Sequence, residues 1–175
     1  MKTKKIIFVV LVSVMVSLLN TAYAQLEKGG LLIGGEAGFR SFSPEGGGES
    51  VSYINITPGV GYFVIDNLAL GARISYQSIS SDGETVSIFT VGPFARYYIG
   101  DTKVFGEVSY DFGSVSGSGD SESLSNLMIE AGYSAFLNDH VAIEPAFYWS
   151  TQSSAGESVG SSFGINIGLQ IYLGK

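Results

Sequence analysis

The chain has 175 residues, with 16 acidic against 9 basic side chains, a net charge of −7, 24 glycines and no cysteine. It can therefore form neither disulfides nor thiolate metal sites. Nucleic acid is not expected as a partner, because phosphate recognition needs clusters of Lys and Arg. Beyond the N-terminus, apolar residues alternate with small or polar ones and show no helical spacing, which predicts an all-β fold.

The N-terminus has the three parts of a secretory signal peptide. It opens with three lysines, Lys2, Lys4 and Lys5. An apolar run covers residues 6–19, and Ala22 and Ala24 form an A-x-A cleavage site. The run has about 14 residues, fewer than the ~20 of a membrane-spanning helix, which argues against an uncleaved anchor. We expect cleavage of residues 1–24 before Gln25, which leaves 25–175 as one domain.

Eight alternating segments follow, each long enough for a tilted strand that crosses a bilayer, which takes about 9–11 residues. They cover residues 30–42, 51–64, 68–80, 85–99, 103–113, 125–137, 141–151 and 161–173. Their connections alternate between short turns at 65–67, 100–102 and 138–140 and longer polar loops at 43–50, 81–84, 114–124 and 152–160. Short turns at one end and longer loops at the other are typical of bacterial outer-membrane barrels.

The two faces of the predicted strands differ in charge. In the second, fourth, sixth and eighth strands one face is free of charge, as in Phe89, Val91, Pro93, Ala95, Tyr97 and Ile99. The opposite faces are small or polar and carry single charges: Glu36, Arg40, Arg73, Arg96, Glu107, Asp111, Glu130 and Glu144. This pattern favours an eight-stranded antiparallel transmembrane barrel with lipid outside and charges inside. A secreted soluble β-sandwich is the alternative.

Aromatic residues occur near both ends of the predicted strands. One group lies beside the short turns or the C-terminus, namely Tyr62, Phe63, Tyr97, Tyr98 and Tyr172. A second group lies toward the loops: Phe42, Tyr53, Tyr76, Phe89, Tyr110, Tyr148, Trp149 and Phe163. Two such bands around an aliphatic zone predict aromatic girdles at the two membrane interfaces.

Three prolines do not suit regular strands. Pro58, Pro93 and Pro145 each fall inside a predicted strand, where a missing N–H interrupts the ladder. A closed barrel has no edge strand to accommodate them. We therefore expect bulges or kinks at these positions.

Three stretches carry a resemblance to a known family: TPGVGYFVIDNLALG at 57–71, VGPFARYYIG at 91–100 and NIGLQIYLGK at 166–175. Together with the strand and turn pattern, they make residues 25–175 resemble the small OmpX/OmpA-like outer-membrane β-barrels of Gram-negative bacteria. The last stretch is similar to the assembly signal of such proteins, which would comprise Asn166, Gly168, Ile171 and Leu173. Many members end on an aromatic residue, whereas this chain ends on Lys175.

The resemblance implies an integral protein of the bacterial outer membrane. Its expected partners are outer-membrane lipid and, during assembly, periplasmic chaperones and the barrel insertion machinery. A monomer without a cofactor is expected.

The predicted interior has no room for a wide pore, because an eight-stranded barrel holds little more than its own side chains. Charges buried there have to pair, since an isolated buried ion costs several kcal/mol. We expect Arg73 and Arg96 to bridge Glu107, Glu130 and Glu144 in a middle layer. Glu36 and Arg40 would form an upper tier. Such a network would seal and stabilise the barrel, and the alternative is a narrow porin-like channel for ions or small solutes.

The longer loops are acidic and contain no Lys or Arg. Their acids are Glu45, Glu49, Asp82, Glu84, Asp120, Glu122 and Glu157. A solvated acidic rim is the simplest interpretation. The alternatives are a surface for divalent cations, for adhesion or for a ligand. No calcium-loop spacing occurs, and no metal or cofactor site is predicted.

The sequence offers weak support for catalysis. Its single histidine, His140, falls in a short turn beside Asp139, away from any predicted pocket. A solvated turn histidine has no substrate to exchange a proton with. The chain is therefore not expected to be an enzyme, and a structural or surface-interaction role is predicted.

Overall fold

The computed structural model describes residues 26–42, 50–81, 84–117, 120–154 and 157–174, without the side chains of Arg40, Phe42 and Asp120. The predicted cleavage residues Ala22, Ala24 and Gln25 lie outside the described residues, as do Glu45, Glu49 and Asp82. The strands are β1 Leu31–Phe42, β2 Val51–Ile65, β3 Leu68–Ser81, β4 Glu84–Tyr98, β5 Val104–Gly117, β6 Asp120–Tyr133, β7 Ala135–Phe136, β8 Val141–Ser154 and β9 Glu157–Leu173.

The sheet closes on itself. Apart from β6 and β7, each strand pairs antiparallel with its neighbour in the chain, and β1 pairs with β9. The two-residue β7 continues β6 after an interruption at Ser134, and both pair with β8. The nine elements therefore form eight barrel strands, which confirms the predicted all-β, eight-stranded antiparallel barrel and excludes a sandwich. In the described part of the chain, no helix has the length and apolarity to cross a membrane.

Three hairpins are longer than the sequence predicts. The strands β5 and β6 pair up to Gly117 and Asp120, so most of the predicted loop 114–124 is strand. Likewise, β3 and β4 pair up to Ser81 and Glu84, and β8 and β9 pair up to Ser154 and Glu157. Serine and glycine are weak strand formers by themselves, but continuation of an already paired ladder overrides that preference.

The barrel is apolar outside and charged inside. Exposed large side chains include Ile56, Val60, Leu70, Ile74, Val108, Ile129, Phe147 and Ile165. Buried charged side chains are Arg73, Arg96, Lys103, Glu107, Asp111, Glu130 and Glu144. Because successive strand residues point to opposite faces, alternation in the sequence becomes this division between outside and inside.

An aromatic floor closes the interior at the short-turn end. It consists of Phe63, Tyr98, Phe105, Phe136 and Tyr172, each at most 4% exposed. Ring centroids within it lie 4.8 to 6.3 Å apart, a normal range for packed aromatic pairs. The predicted girdle placement is therefore wrong for Phe63, Tyr98 and Tyr172, which point inward. Their neighbours Tyr62 and Tyr97 are the ones that point outward.

Gly132 makes room for this floor. A Cβ atom at Gly132 would lie 2.5 Å from Phe105 Cζ and 2.8 Å from Ala146 Cβ. We expect Gly132→Val to lower the free energy of unfolding by about 1–3 kcal/mol, the usual cost of overpacking a core. Urea unfolding of the refolded protein in detergent micelles measures this change.

Gly160 is the matched control for that substitution, because a Cβ atom there meets nothing within 4 Å. Gly160→Val should leave the unfolding midpoint nearly unchanged. Equal losses for both variants would show that contact with Phe105 does not decide the cost.

The prolines interrupt ladders without shifting them. Pro58 and Pro93 each coincide with a two-residue gap in the ladder to one neighbouring strand, and Pro145 lies opposite the break between β6 and β7. The register is the same on both sides of each gap, so the expectation of bulges at the prolines is wrong, and that of kinks stays a prediction. Bulges occur elsewhere, near Ile65 and near Gln152. The other neighbouring strand still pairs with each proline.

Candidate functional site: the charged layer inside the barrel

Cross-strand register brings the interior charges together. Arg96 on β4 stands opposite Glu107 on β5, and Glu107 stands opposite Glu130 on β6. Directly opposed residues of an antiparallel pair have their side chains on the same face, about 4.5–5.5 Å apart. Three charges on consecutive strands therefore meet in one layer, and Arg73 reaches it from β3.

Arg73 binds the upper part of this layer. Its Nε and Nη2 atoms donate to the two carboxylate oxygens of Asp111, at 3.1 and 2.8 Å. Its Nη1 atom lies 3.3 Å from Glu107 Oε1 and 3.8 Å from Glu130 Oε2, and Nη2 also donates to Ser109. The fork of the guanidinium matches a carboxylate in this two-bond geometry.

Arg96 binds the lower part. Its Nε atom donates to Glu107 Oε2 at 2.7 Å, and Nη1 lies 2.5 Å from Glu144 Oε2. The guanidinium carbon lies 4.1 Å from the centroid of the Phe105 ring, in the range of a cation–π contact. Glu107 is therefore shared between Arg96 and Arg73, which links the two halves of the layer.

Hydroxyl groups join the layer to the aromatic floor. Ser134 Oγ donates to Glu144 Oε1 at 2.5 Å, and the Tyr172 hydroxyl donates to the same oxygen. The hydroxyls of Tyr98 and Tyr172 are 2.6 Å apart, and Arg96 donates to Tyr98 at 3.3 Å. Each oxygen of Glu144 thus has a donor, as a buried carboxylate requires.

The structure brings together most of the residues predicted for this network. Arg73 contacts Glu107 and Glu130, and Arg96 contacts Glu107 and Glu144. The expected upper tier of Glu36 and Arg40 stays a prediction. Among the described side chains, Glu36 makes no ion pair, and the side chain of its expected partner Arg40 lies outside the described residues.

Several contributors were not predicted as members of the network. Asp111 could have been found, because it lies four residues after Glu107 on the same face of β5. Ser134 gave no sequence signal, and neither did Lys103, a buried cation that stands outside the network. Lys103 is buried with its Nζ atom 5.4 Å from the Phe136 ring centroid, and that atom has no hydrogen-bond partner among the described residues.

The predicted assembly-signal residues all lie on β9. The Nδ2 atom of Asn166 points inward and donates to Glu130 Oε1 at 3.0 Å. Gly168 pairs with Glu36 on one side and with Glu144 on the other. Ile171 and Leu173 point outward with the apolar belt.

A polar cup lies on the loop side of the charged layer. Its volume is about 160 Å³, and its lining includes Asn55, Gln77, Asn126, Tyr148, Ser150 and Asn166, with Glu36, Arg73 and Asp111 at its base. A smaller cavity of about 30 Å³ lies beside Phe94 and Arg96. That volume is room for about one water molecule.

Other kinds of chemistry find little support in the described residues. No group of three His, Cys, Asp or Glu side chains among them could hold a metal ion. His140 is exposed in its turn, and its backbone N–H donates to Asn138 Oδ1 at 2.8 Å. Its side chain is therefore placed as the sequence predicts, away from both interior cavities.

A closed antiparallel sheet with an apolar outside and paired charges inside defines the class: a β-barrel of the outer-membrane type. No family model matches the chain, and no curated protein matches it. Among solved structures it is similar to outer-membrane expressed OmpT of Vibrio cholerae, with 12% sequence identity and a TM-score of 0.38. The match covers 81% of this chain and 52% of that one, so the chain spans about half the length of this neighbour.

One sequence-based statement is corrected by this comparison. The expectation that the chain is not an enzyme is withdrawn, because the match to OmpT contradicts it. At 12% identity and a TM-score of 0.38, the same likeness is too weak to assign an enzyme activity to this chain.

Proposed function

We propose that this chain is an integral protein of the bacterial outer membrane, of the OmpX/OmpA-like type, with a structural or surface-interaction role. One observation carries the proposal: the barrel has an uncharged apolar belt on its outside and a layer of charged side chains on its inside. In water such an apolar exterior would make the protein aggregate. In a bilayer the same exterior contacts the lipid tails, which are also apolar. Along the other seams and along the paired half of the β1–β9 seam, the backbone groups of neighbouring strands pair with each other, as the hydrocarbon requires.

The interior supports a barrel that is closed to passage. From the loop end, a solute would enter the cup and then meet Arg73, Arg96 and their carboxylates. Below them lies the aromatic floor, whose rings fill the short-turn end. Passage would require breaking buried ion pairs and then moving packed rings, and breaking one buried pair alone costs about 3–5 kcal/mol.

Processing and assembly are part of the same proposal. Residues 1–24 act as a signal peptide cleaved before Gln25, and residues 25–175 form the barrel domain. Periplasmic chaperones and the barrel insertion machinery receive the chain, with Asn166, Gly168, Ile171 and Leu173 as its assembly signal. The folded protein is a monomer surrounded by outer-membrane lipid, without nucleic acid as a partner.

Conductance of the mature chain in planar bilayers tests the closed interior. We expect no discrete current steps from a protein whose heat-dependent gel shift and resistance to trypsin in vesicles demonstrate folding and insertion. Reproducible steps would instead support the narrow porin-like channel, with Arg73 and Arg96 at its constriction. A protein that folds only in water, and not in detergent or vesicles, would overturn the membrane proposal itself.

Exchange of the loop-end residues tests the surface-interaction role. Exposed acids remain at the loop end in the described structure, among them Glu84, Glu122 and Glu157. If this end carries an adhesion or ligand surface, replacing these acids by glutamine changes binding to host cells or matrix without changing the gel shift. Unchanged binding would leave the structural role as the better description.

A further inference from the structure

The seam between β1 and β9 is only half closed. Its ladder runs from the pair Leu31–Leu173 to the pair Glu36–Gly168 and stops there. On the loop side, β1 continues to Phe42 and β9 begins at Glu157, but residues 37–42 and 157–167 do not pair with each other. On their other sides, β1 pairs with β2 along its whole length, and β9 pairs with β8 with one bulge near Gln152.

A glycine lies where the two strands separate. Gly35 has a φ of +150°, a conformation that residues with a side chain rarely adopt. A Cβ atom there would collide with the backbone of Thr57 and Pro58 on β2. Gly35, one residue before the last pair of the β1–β9 ladder, is therefore a position that only glycine fills without strain.

Unpaired strand edges are costly in a membrane. Backbone N–H and C=O groups without partners cost several kcal/mol each in hydrocarbon, so open edges need a polar partner. The gap begins at the level of Glu36 and extends toward the loops over six residues of β1. At about 3.3 Å per residue and a tilt near 40°, this is roughly 15 Å along the barrel axis.

Two clefts connect this gap with the interior. The outer cleft has a volume of about 520 Å³ and an apolar lining of Ala37, Ile56, Pro58, Ile143, Ile167 and Leu169, with Glu36 and three glycines. The second, of about 330 Å³, is lined by Phe39, Ile165 and Ile167 together with Glu36, Asn55, Tyr148 and Asn166. Those last four residues also line the polar cup. An apolar groove on the lipid side therefore continues through the wall into the polar interior.

The described interior beside the gap carries more negative than positive charge. The described interior of the charged layer and cup has two arginines, Arg73 and Arg96, against five acids, Glu36, Glu107, Asp111, Glu130 and Glu144. The ion pairs of the arginines involve four of these acids, and Glu36 is the one left out. Glu36 lines the cup and both clefts.

We propose that the gap between β1 and β9 binds a single-chain amphiphile with an ammonium head, held by Glu36 at the inner end while its alkyl chain lies in the apolar cleft. The head group supplies a positive charge beside Glu36, which forms no ion pair with the described side chains. The alkyl chain of the amphiphile covers the outward side of the gap, between Ala37 and Ile167. This site rests on the membrane placement proposed above and adds a ligand class to it.

The test uses nitroxide-labelled alkyltrimethylammonium and alkyl sulfate of equal chain length, added to the full mature protein in phosphatidylcholine vesicles. Electron paramagnetic resonance measures the immobilised fraction of each. We expect a preference of about fivefold for the ammonium probe, at the upper end of what a partly exposed ion pair contributes. Glu36→Gln should abolish this preference, and Glu157→Gln, which removes an exposed acid at the loop end, should retain it.

A steric variant tests the cleft independently of charge. Ala37 lines both clefts, so Ala37→Trp should remove the immobilised component of the ammonium probe. Ala72→Trp, also outward but on a fully paired seam, should leave it unchanged. Equal immobilisation of both probes, or a preference that survives Glu36→Gln or Ala37→Trp, would overturn the site. Failure of the wild-type protein to insert into the vesicles, measured by trypsin resistance, would instead overturn the membrane proposal.

Discussion

Replacement of Arg96 by methionine is expected to lower the free energy of unfolding by about 3–5 kcal/mol, the cost of leaving buried partners without their counter-charge. Arg96 is 6% exposed and holds Glu107 and Glu144 at 2.7 and 2.5 Å. Methionine keeps much of the apolar stem but removes every donor to these carboxylates. Reversible urea unfolding in phosphatidylcholine vesicles, followed by the fluorescence of the single tryptophan Trp149, measures the loss.

Lys28→Met is the matched control for Arg96→Met. It removes one positive charge from an exposed position, and we expect a change within about 0.5 kcal/mol. Arg96→Lys should lose less than Arg96→Met, because it keeps the charge but not the two-sided fork. A loss below about 1 kcal/mol for Arg96→Met would show that the carboxylates find water or one another, against the closed interior described here.

Replacement of Ile129 by arginine is expected to cost about 2–4 kcal/mol in a bilayer, the price of a lipid-facing cation near the midplane of a barrel. Ile129 is 50% exposed and precedes Glu130, so it lies outside the barrel at the level of the charged layer. In a water-soluble protein the same exposed position would accept arginine with little change. Urea unfolding in vesicles, followed by far-ultraviolet circular dichroism, separates these two cases.

Val159→Arg provides the control for depth. Val159 is 66% exposed but lies near the start of β9, at the loop end of the barrel. Near the interface an arginine costs about 0–1 kcal/mol, so this variant should unfold close to the wild type. Equal costs for Ile129→Arg and Val159→Arg would contradict a bilayer around the middle of the barrel.

Part of the site follows from alternation alone. If Tyr97 of β4 points out of the barrel, its neighbours Arg96 and Tyr98 must point inward, because successive side chains of a strand alternate between the two faces. The same alternation puts Glu107 and Asp111 on one face of β5. A narrow barrel then forces opposite charges to meet. The interpretation of Phe63, Tyr98 and Tyr172 as girdle residues failed because it used their distance from the turns and neglected their side of the strand.

The sequence by itself determined which face of each strand is apolar and which is charged, because a period of two residues assigns each side chain to a face whatever its partners are. The tertiary structure alone decided which arginine holds which carboxylate, since this depends on the register between strands that are distant along the chain. It also decided where the β1–β9 ladder stops. That seam joins the two ends of the barrel, and its pairing depends on how the whole sheet twists and closes, which no local pattern encodes.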